Sequence, residues 1–227
     1  MKILAIETTE RIGSVALLDS TKLLYNKNLD PSKRSAESLA PAIRTALEEV
    51  SWHAHDIDLV ATTIGPGSFT GLRVGVTTAK TFAYSAGADV LGLDTLEVIA
   101  AAVPSDVRRL AVAVDAQRGE VVAERFRRSP SGLMEATSPA ALIDADTWLA
   151  GLEDGEQVAG PVLRKLAERL PAQVVALPAE YWAPTAGAVA RLAQRHYAEG
   201  RRDNVWKLVP RYFRRSAAEE KWEASGR

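Results

Sequence analysis

Short apolar runs alternate with longer amphipathic segments along the first half of the chain. The runs 3–6 and 14–18 flank a polar turn, so they predict a β-hairpin, to which residues 22–29 can add a third strand. Between residues 36 and 52, apolar side chains recur at every third or fourth position, which predicts a helix with Ser35 as its N-cap. The chain is therefore predicted to begin with three strands and a helix.

The alternation continues on both sides of a glycine-rich turn. Residues 56–65 have the pattern of a strand, and residues 72–86 that of a helix closed by Gly87. A further strand and helix are predicted within residues 88–103. The element order up to this point is β-β-β-α-β-α-β-α, which indicates an α/β fold with a mixed sheet and helices on its faces.

The second half of the chain begins in the same way as the first. Two apolar runs around a polar turn in residues 109–128 predict another hairpin. A loop or short helix comes next at 144–152, then a strand, glycine turn and helix within 156–170, and a short strand at 172–177. Residues 185–200 predict a longer helix that ends at a glycine.

The composition is that of an ordinary globular protein. Hydrophobic residues make up 47% and charged residues 25%, and a formal net charge of -1 gives no overall attraction to nucleic acid or anionic membranes. A chain of 227 residues can form two compact lobes, for which we predict the boundaries 1–105 and 106–227. Because cysteine is absent and the N-terminal apolar run is short, we expect a cytoplasmic protein without disulfides.

The sharpest local feature is the glycine turn. Gly65, Gly67, Ser68, Thr70 and Gly71 lie between a predicted strand and a helix N-terminus, where free backbone N–H groups can bind an anion. The spacing G-x-G-x-x-x-G matches neither the dinucleotide fingerprint nor a P-loop. Anion binding and a bend that simply needs glycine conformations therefore stay open as alternatives.

The helix after the glycine turn carries many small side chains, such as Gly75 and Ala79. Small residues let another backbone approach closely, either from the sheet of the same chain or from a second protein. Leu72, Val76 and Phe82 suit either neighbour, and periodicity alone does not separate the two cases.

Few polar residues form a recognisable site. Glu7, Thr8 and Asp115 end predicted strands, where they can face a magnesium-nucleotide complex between two lobes or act as ordinary turn residues. His53 and His55 are close in sequence, but no H-E-x-x-H or His-x-x-x-His pair is present. We predict no metal site.

The C-terminal tail, residues 201–227, interleaves basic and aromatic residues. It contains eight Lys or Arg and four Asp or Glu, so it is locally positive although the whole chain is not. Basic and aromatic residues together can bind RNA, but a solvated terminus that is anchored by its aromatic side chains is the commoner case.

Four stretches, taken together, resemble one known family. They are the opening ILAIETT with GSVALL, the glycine stretch GPGSFTGLRVG, the turn DAQRGEV and the late PRYFRRSAAEEKW. In this order they are similar to the TsaB (YeaZ) family, which belongs to the actin, sugar-kinase and Hsp70-like superfamily. The resemblance covers nearly the whole chain and implies a two-lobed, ribonuclease H-like α/β fold with a mixed β-sheet core in each lobe.

The resemblance also implies a function. Members of this family assist the transferase TsaD in forming N6-threonylcarbamoyladenosine in tRNA, and an ATPase, TsaE, joins the assembly. By this resemblance we expect a non-catalytic subunit with no intrinsic cofactor, which forms a heterodimer with TsaD and a homodimer when alone. ATP or ADP is then expected at the partner interface, contact with tRNA only through the complex, and no membrane association.

The family's partner interface is built by the two helices of the first lobe. Carried over to this chain, the interface residues are Leu39, Ile43, Leu47, Leu72, Arg73, Val76, Ala79, Phe82 and Ala83.

Two positions depart from the family's pattern. Glu7–Thr8 stands where relatives have Asp-Thr, and Ser35 stands where relatives often have histidine. Both changes weaken the case for nucleotide or metal chemistry in this chain. The alternative hypothesis is an independent ATP-dependent enzyme of the same superfamily, in which Glu7, Thr8 and Asp115 face the nucleotide.

Overall fold

A computed structural model describes residues 1–214 of the chain. Its first part is a five-stranded mixed sheet with the strand order β3-β2-β1-β4-β5, in which β1 is antiparallel to β2 and parallel to β4. The elements are β1 (Lys2–Glu7), β2 (Ser14–Asp19), β3 (Lys22–Asn28), α1 (Ser35–Glu49), a 3-10 turn (Ala54–Asp56), β4 (Leu59–Gly65), α2 (Phe69–Ala86), β5 (Asp89–Asp94) and α3 (Thr95–Ala102). The predicted order β-β-β-α-β-α-β-α is confirmed.

A second mixed sheet comes next in the chain, with the order β11-β10-β6-β7-β8 and with β9 paired to β7. Its elements are β6 (Arg109–Asp115), β7 (Glu120–Arg128), β8 (Met134–Ala136), β9 (Ala141–Asp144), α4 (Ala145–Ala150), β10 (Gln157–Ala159), α5 (Leu163–Leu166), β11 (Val175–Ala176) and α6 (Ala186–Ala198), with 3-10 turns at Ala167–Arg169 and Ala179–Tyr181. Two mixed sheets with flanking helices confirm the predicted α/β class.

The alternation of side chains along β1 places two separate cores on the faces of the first sheet. Leu4 and Ile6 pack in the core formed with α1 and α2, whereas Ile3 and Ala5 pack in the core formed with α6. A strand directs successive side chains to opposite faces, so a continuous apolar run such as this one is explained by helices on both sides. All four side chains are fully buried.

The helix α6 lies in the second half of the chain but packs on the first sheet, where Val189 is fully buried. Beyond it, residues 201–214, here termed the C-terminal strap, continue along the same lobe. The N–H of Asp203 donates to the carbonyl of Val90 at 3.0 Å, and the N–H of Arg211 donates to that of Ile64 at 2.7 Å. The lobe boundaries 1–105 and 106–227 remain a prediction. Within the second range, α6 and the C-terminal strap pack against the first sheet.

Two details differ from the sequence-based expectations. Ser35 is the first residue within α1, and the N-cap is Arg34, whose side chain makes no capping hydrogen bond. The short strands β8 and β9 were not predicted, because they are only three and four residues long and too short to show a clear apolar pattern. Of their residues only Met134 is buried. The tail was expected to be anchored by its aromatic side chains, and within residues 201–214 Tyr212 stacks on Phe69 and Trp206 contacts Tyr84. Residues 215–227 lie outside the described part of the chain.

Candidate functional site

The glycine turn joins β4 to α2 and packs tightly against the loop between β1 and β2. A Cβ atom at position 71 would lie 1.8 Å from the carbonyl oxygen of Thr8, and one at position 67 would lie 2.4 Å from the Cβ of Thr9. Only glycine permits this approach of the helix start to the loop, because any side chain would overlap with protein atoms. Close packing is therefore one role of these glycines.

Hydrogen bonds in the turn are made within the protein. The N–H of Ser68 donates to the carbonyl of Thr9 at 3.0 Å, and the hydroxyl of Thr8 donates to the carbonyl of Gly71 at 2.8 Å. Ser68 is the N-cap of α2, since its hydroxyl accepts the N–H of Gly71 at 3.2 Å. Of the two alternatives for the turn, this geometry favours the bend over an anion cradle.

Glu7 is fully buried beneath this turn. One carboxyl oxygen accepts hydrogen bonds from the N–H and the hydroxyl of Thr9, and the other has no hydrogen-bond partner within residues 1–214. Burial raises the pKa of Glu7 to about 7; the hydrogen bonds from Thr9 oppose this rise and the charge of Glu10 adds to it. Thr8 is equally enclosed, so neither residue faces a cleft between the lobes.

Asp115, the third candidate nucleotide-facing residue, does lie on a cavity. Its carboxylate forms an ion pair with Lys165 and accepts the N–H of Gln117 at 3.0 Å. The cavity has a volume of about 630 Å³ and is here termed the interlobe cavity. It is lined by residues 66–70, Leu72, residues 115–118, Val122 and residues 211–214.

A second cavity, of about 600 Å³, lies between α1 and α2 and is here termed the α1–α2 groove. Its α2 wall carries Thr77, Thr81 and Ser85, which recur every four residues and so share one stripe of the helix. The rest of the lining is Ala40, Ile43, Arg44, Leu47, Glu48, Trp52, His53, Ala54, Thr78 and Phe82. The groove is thus lined mostly by small and apolar side chains and opens to solvent.

The predicted interface residues are placed mainly in the protein's own core. Seven of the nine are buried, namely Leu39, Ile43, Leu47, Leu72, Val76, Ala79 and Ala83, while Arg73 is exposed and Phe82 half-buried. They were carried over from the family resemblance, and their three-to-four spacing marks the stripe of each helix that faces the first sheet. They are therefore core residues in this structure, and of the seven only Ile43, Leu47 and Leu72 reach a cavity wall.

Sequence reasoning missed the open wall of the α1–α2 groove. The signal was present as the i, i+4, i+8 spacing of Thr77, Thr81 and Ser85, but these three residues were not recognised in the sequence as a separate stripe. A stripe of small polar residues marks the side of a helix that stays open, whereas the apolar stripe beside it marks the side that packs in the core.

A third, smaller cavity is acidic. Asp94, Glu97 and Glu124 line this space of about 330 Å³ together with His196 and Arg211. Burial raises the pKa of Glu124 to about 7, and the charges of Asp94 and Glu97 add to this effect while Arg211 opposes it. Within residues 1–214, no group of three or more His, Asp or Glu side chains is arranged to hold a metal ion.

His53 and His55, the two histidines close in sequence, contact different parts of the protein. His53 lines the α1–α2 groove, and His55 approaches the carbonyl of Ala86 at 3.5 Å. The helices of the described residues include none that is both long and apolar enough to cross a membrane.

Comparison with known proteins gives consistent matches. A family model described as TsaD, tRNA N6-adenosine threonylcarbamoyltransferase, matches residues 30–180. The chain is similar to the tRNA threonylcarbamoyladenosine biosynthesis protein TsaB of Bacillus subtilis (strain 168), at 28% identity over 98% of both chains. It is also similar to TsaB of Escherichia coli (strain K12), at 28% identity over 97% of this chain and 98% of that protein.

Among solved structures, YeaZ from Pseudomonas aeruginosa superposes with a TM-score of 0.80 at 26% identity, over 93% of this chain and 99% of that one. The two sheets and their helices are therefore arranged as in YeaZ, along nearly the full length of both chains.

Proposed function

The chain belongs to the TsaD (tRNA N6-adenosine threonylcarbamoyltransferase) family, and from this premise we propose that it is a non-catalytic activating subunit. TsaB and YeaZ are relatives that match it over nearly their full length. In this proposal the chain binds a TsaD-type transferase and activates it in forming N6-threonylcarbamoyladenosine in tRNA. Involvement in threonylcarbamoyladenosine biosynthesis follows from the names of the relatives, and the partner and its activation are our inference.

The observation that carries the proposal is the α1–α2 groove. An open groove of about 600 Å³ between two neighbouring helices, lined by small and apolar side chains, is a surface that helical partners recognise. The small side chains Ala40, Thr77 and Thr81 permit a close approach, and Phe82 offers an aromatic anchor beside them. A helix of the partner is the occupant that this shape fits best.

Charges at the rim of the groove add orientation to this contact. Arg44 and Glu48 lie four residues apart on α1, 4.0 Å from each other, and both side chains are mostly exposed. Such exposed pairs add little affinity in themselves, but they can select the register of a partner with complementary charges.

The other partners follow from the same surface. When no transferase is present, two copies can cover the groove by an isologous contact, which gives a homodimer. In the complex, a TsaE-type ATPase joins the assembly, and ATP or ADP binds at the partner interface and not to the isolated chain. The burial of Glu7 and Thr8 supports this last point.

Reconstitution tests the proposal. The purified chain should bind its cognate TsaD-type transferase in copurification, and tRNA modification by the transferase should increase when the chain is added. If the transferase modifies tRNA equally well without the chain, the proposal is wrong.

A charge placed in the groove sharpens the test. Thr81→Arg puts a guanidinium on the α2 wall, and an unpaired charge buried at an interface should weaken the complex on the order of 100-fold. Thr21→Arg, on the exposed turn between β2 and β3, is the matched control and should bind normally. Equal binding by both variants, measured by calorimetry, would place the partner elsewhere.

A further inference from the structure

The C-terminal strap runs along α2 in the opposite direction. Tyr212 stacks on Phe69 near the start of the helix, with ring centroids 4.5 Å apart, and Trp206 meets Tyr84 edge-on near its end at 5.1 Å. Between them, Lys80 donates to a strap carbonyl at 2.9 Å. Since a helix rises 1.5 Å per residue, the shared surface is about 22 Å long.

Exposed aromatic rings are concentrated on this surface. Among the large hydrophobic side chains exposed within residues 1–214, the aromatic ones are Tyr84, Trp206 and Tyr212, and all three belong to α2 or the strap. Their exposed fractions are 67%, 71% and 41%. A row of exposed rings on one surface, unlike a single exposed apolar residue, indicates a binding site.

The same surface is positively charged. Residues 201–214 contain five Lys or Arg and one Asp. At its Tyr212 end the surface opens into the interlobe cavity, whose lining has three arginines, Arg118, Arg211 and Arg214, and one acid, Asp115. Ion pairs join Asp115 to Lys165, Arg211 to Asp94 and Arg214 to Glu120, so these groups largely balance one another. The excess positive charge comes from the rest of the strap and from α2, which adds Arg73 and Lys80 and contains no acid.

The arginines are positioned by rings and carboxylates. The guanidinium of Arg73 lies 4.1 Å from the ring centroid of Phe69 and donates to the hydroxyl of Tyr212 at 3.1 Å. Arg211 lies over Phe213 at 4.5 Å and uses one N–H on Asp94 at 3.0 Å. A guanidinium has five N–H donors, so Arg211 can hold this ion pair and still contact a phosphate.

We propose that this surface, formed by α2 and the C-terminal strap, binds a single-stranded segment of RNA. Bases stack on Tyr212 and Trp206, and the phosphates run along the basic residues toward the interlobe cavity. Interleaved rings and arginines are the usual means by which proteins hold single strands. The inference rests on the proposed function, which supplies an RNA substrate, and it replaces the expectation that tRNA is contacted only through the partner.

The shape of the surface favours a single strand over other ligands. A length of about 22 Å accommodates several nucleotides, more than one free nucleotide needs. A double helix presents its backbone and shallow groove rather than splayed bases, so it would leave the rings without stacking partners. The RNA surface and the α1–α2 groove occupy separate stripes of α2, so the chain can bind RNA and the partner together.

Fluorescence anisotropy with a fluorescein-labelled anticodon stem–loop RNA tests the proposal. We expect the full-length chain, alone and with its TsaD-type partner, to bind this probe with an affinity that falls as salt rises. Tyr212→Ala and Trp206→Ala should each weaken binding roughly five-fold or more, because each removes a stacking ring. Tyr212→Phe should keep most of the affinity, because it keeps the ring. If the contact were purely electrostatic, Tyr212→Ala would keep the affinity as well.

Two exposed residues on the second lobe provide controls. Val175→Ala removes an exposed apolar side chain and Arg169→Ala an exposed cation, and neither should change RNA binding. If Tyr212→Ala and Trp206→Ala bind as tightly as the unmodified chain, the proposal is wrong. If Mg-ATP displaced the RNA, and Tyr212→Ala and Trp206→Ala both lost ATP binding, the surface would be a mononucleotide site and the RNA proposal would be overturned.

The outcome is separable from that of the proposed function. Tyr212→Ala leaves the α1–α2 groove intact, so it should copurify with the transferase as well as the unmodified chain does. A chain that copurifies and activates but binds no RNA would refute this inference alone, and a chain that binds no transferase would refute the proposed function.

Discussion

Both halves of the chain begin with a hairpin whose first strand ends in a carboxylate, yet the two carboxylates have opposite surroundings. Glu7 at the end of β1 is fully buried, and one of its oxygens has no hydrogen-bond partner within the described residues. Asp115 at the end of β6 keeps a quarter of its side chain exposed and is ion-paired with Lys165. Because the local motif is the same, the difference in burial between Glu7 and Asp115 is set by elements outside the two hairpins.

The helix after the neighbouring parallel strand accounts for the difference. In each lobe that strand, β4 or β10, leads into a glycine with a φ of 123°, Gly65 or Gly160. After Gly65 comes α2 with 18 residues, which closes over the β1–β2 loop, whereas α5 has only four residues. Because only the long helix covers its loop, the first carboxylate is buried and the second borders the interlobe cavity.

This comparison shows that a carboxylate at a strand end does not by itself define a ligand site. Glu7 is a buried acid beneath a packed glycine turn, while Asp115 lies beside a cavity. Three substitutions test how much of the contrast depends on the glycine turn, on the buried acid and on the exposed ion pair.

Gly71→Ala should have the largest effect. The added Cβ would lie 1.8 Å from the backbone carbonyl of Thr8, and a backbone atom at this depth cannot move aside. We expect a loss on the order of 3–5 kcal/mol in the free energy of unfolding, measured by urea denaturation at pH 7.

The matched control is Gly151→Ala, where the nearest atom to an added Cβ is 3.4 Å away and φ is −88°. This variant should differ little from the unmodified chain. If both variants have the same stability, the close contact between α2 and the β1–β2 loop does not exist in solution.

Glu7→Gln should have the second largest effect, and it should depend on pH. Burial raises the pKa of Glu7 to about 7 from its ordinary value of 4.5. The folded chain therefore binds the proton of the Glu7 carboxyl group more tightly than the unfolded chain does. The unmodified chain therefore loses stability as pH rises from 4.5 to 7. Glutamine mimics the protonated acid and should be more stable by about 2–3 kcal/mol at pH 8.

Urea denaturation at pH 4.5, 6 and 8 measures this gap, which should be close to zero at the lowest pH. A constant difference across this range would mean that Glu7 does not titrate between the two states. Micromolar binding of Mg-ATP that Glu7→Gln abolishes would instead favour the alternative of an independent ATP-dependent enzyme.

Much of this fold could be predicted from the sequence, because its elements are set by local signals. The apolar runs of β1 and β2, the spacing along α1 and the closing Gly87 of α2 all led to the observed elements. The glycine turn was also predicted, together with its two alternative roles. Its observed role depends on the contact between Gly71 and Thr8, which are 63 positions apart in sequence.

The candidate site was harder to predict for the same reason. Apolar periodicity marks the side of α2 that is buried, and periodicity alone left open whether a partner or the first sheet covers that side. The family resemblance assigned these residues to a partner, whereas the first sheet covers them in the structure. The surface left open depends on which neighbours are present, such as the strap that returns to α2 from residue 206 onward. No spacing within α2 indicates that a segment more than 100 residues later will lie beside it.

Asp115→Asn should have the smallest effect, which would complete the contrast with Glu7. The substitution removes the ion pair with Lys165 but keeps an oxygen that can accept the N–H of Gln117. Because the pair is partly exposed, its loss should cost at most about 1 kcal/mol in the free energy of unfolding, and the cost should shrink in high salt. Urea denaturation at low and high ionic strength measures both effects, with Arg169→Ala as a control that breaks another exposed pair. A cost as large as that of Gly71→Ala would mean that the second hairpin is as enclosed as the first, and that the interlobe cavity is closed in solution.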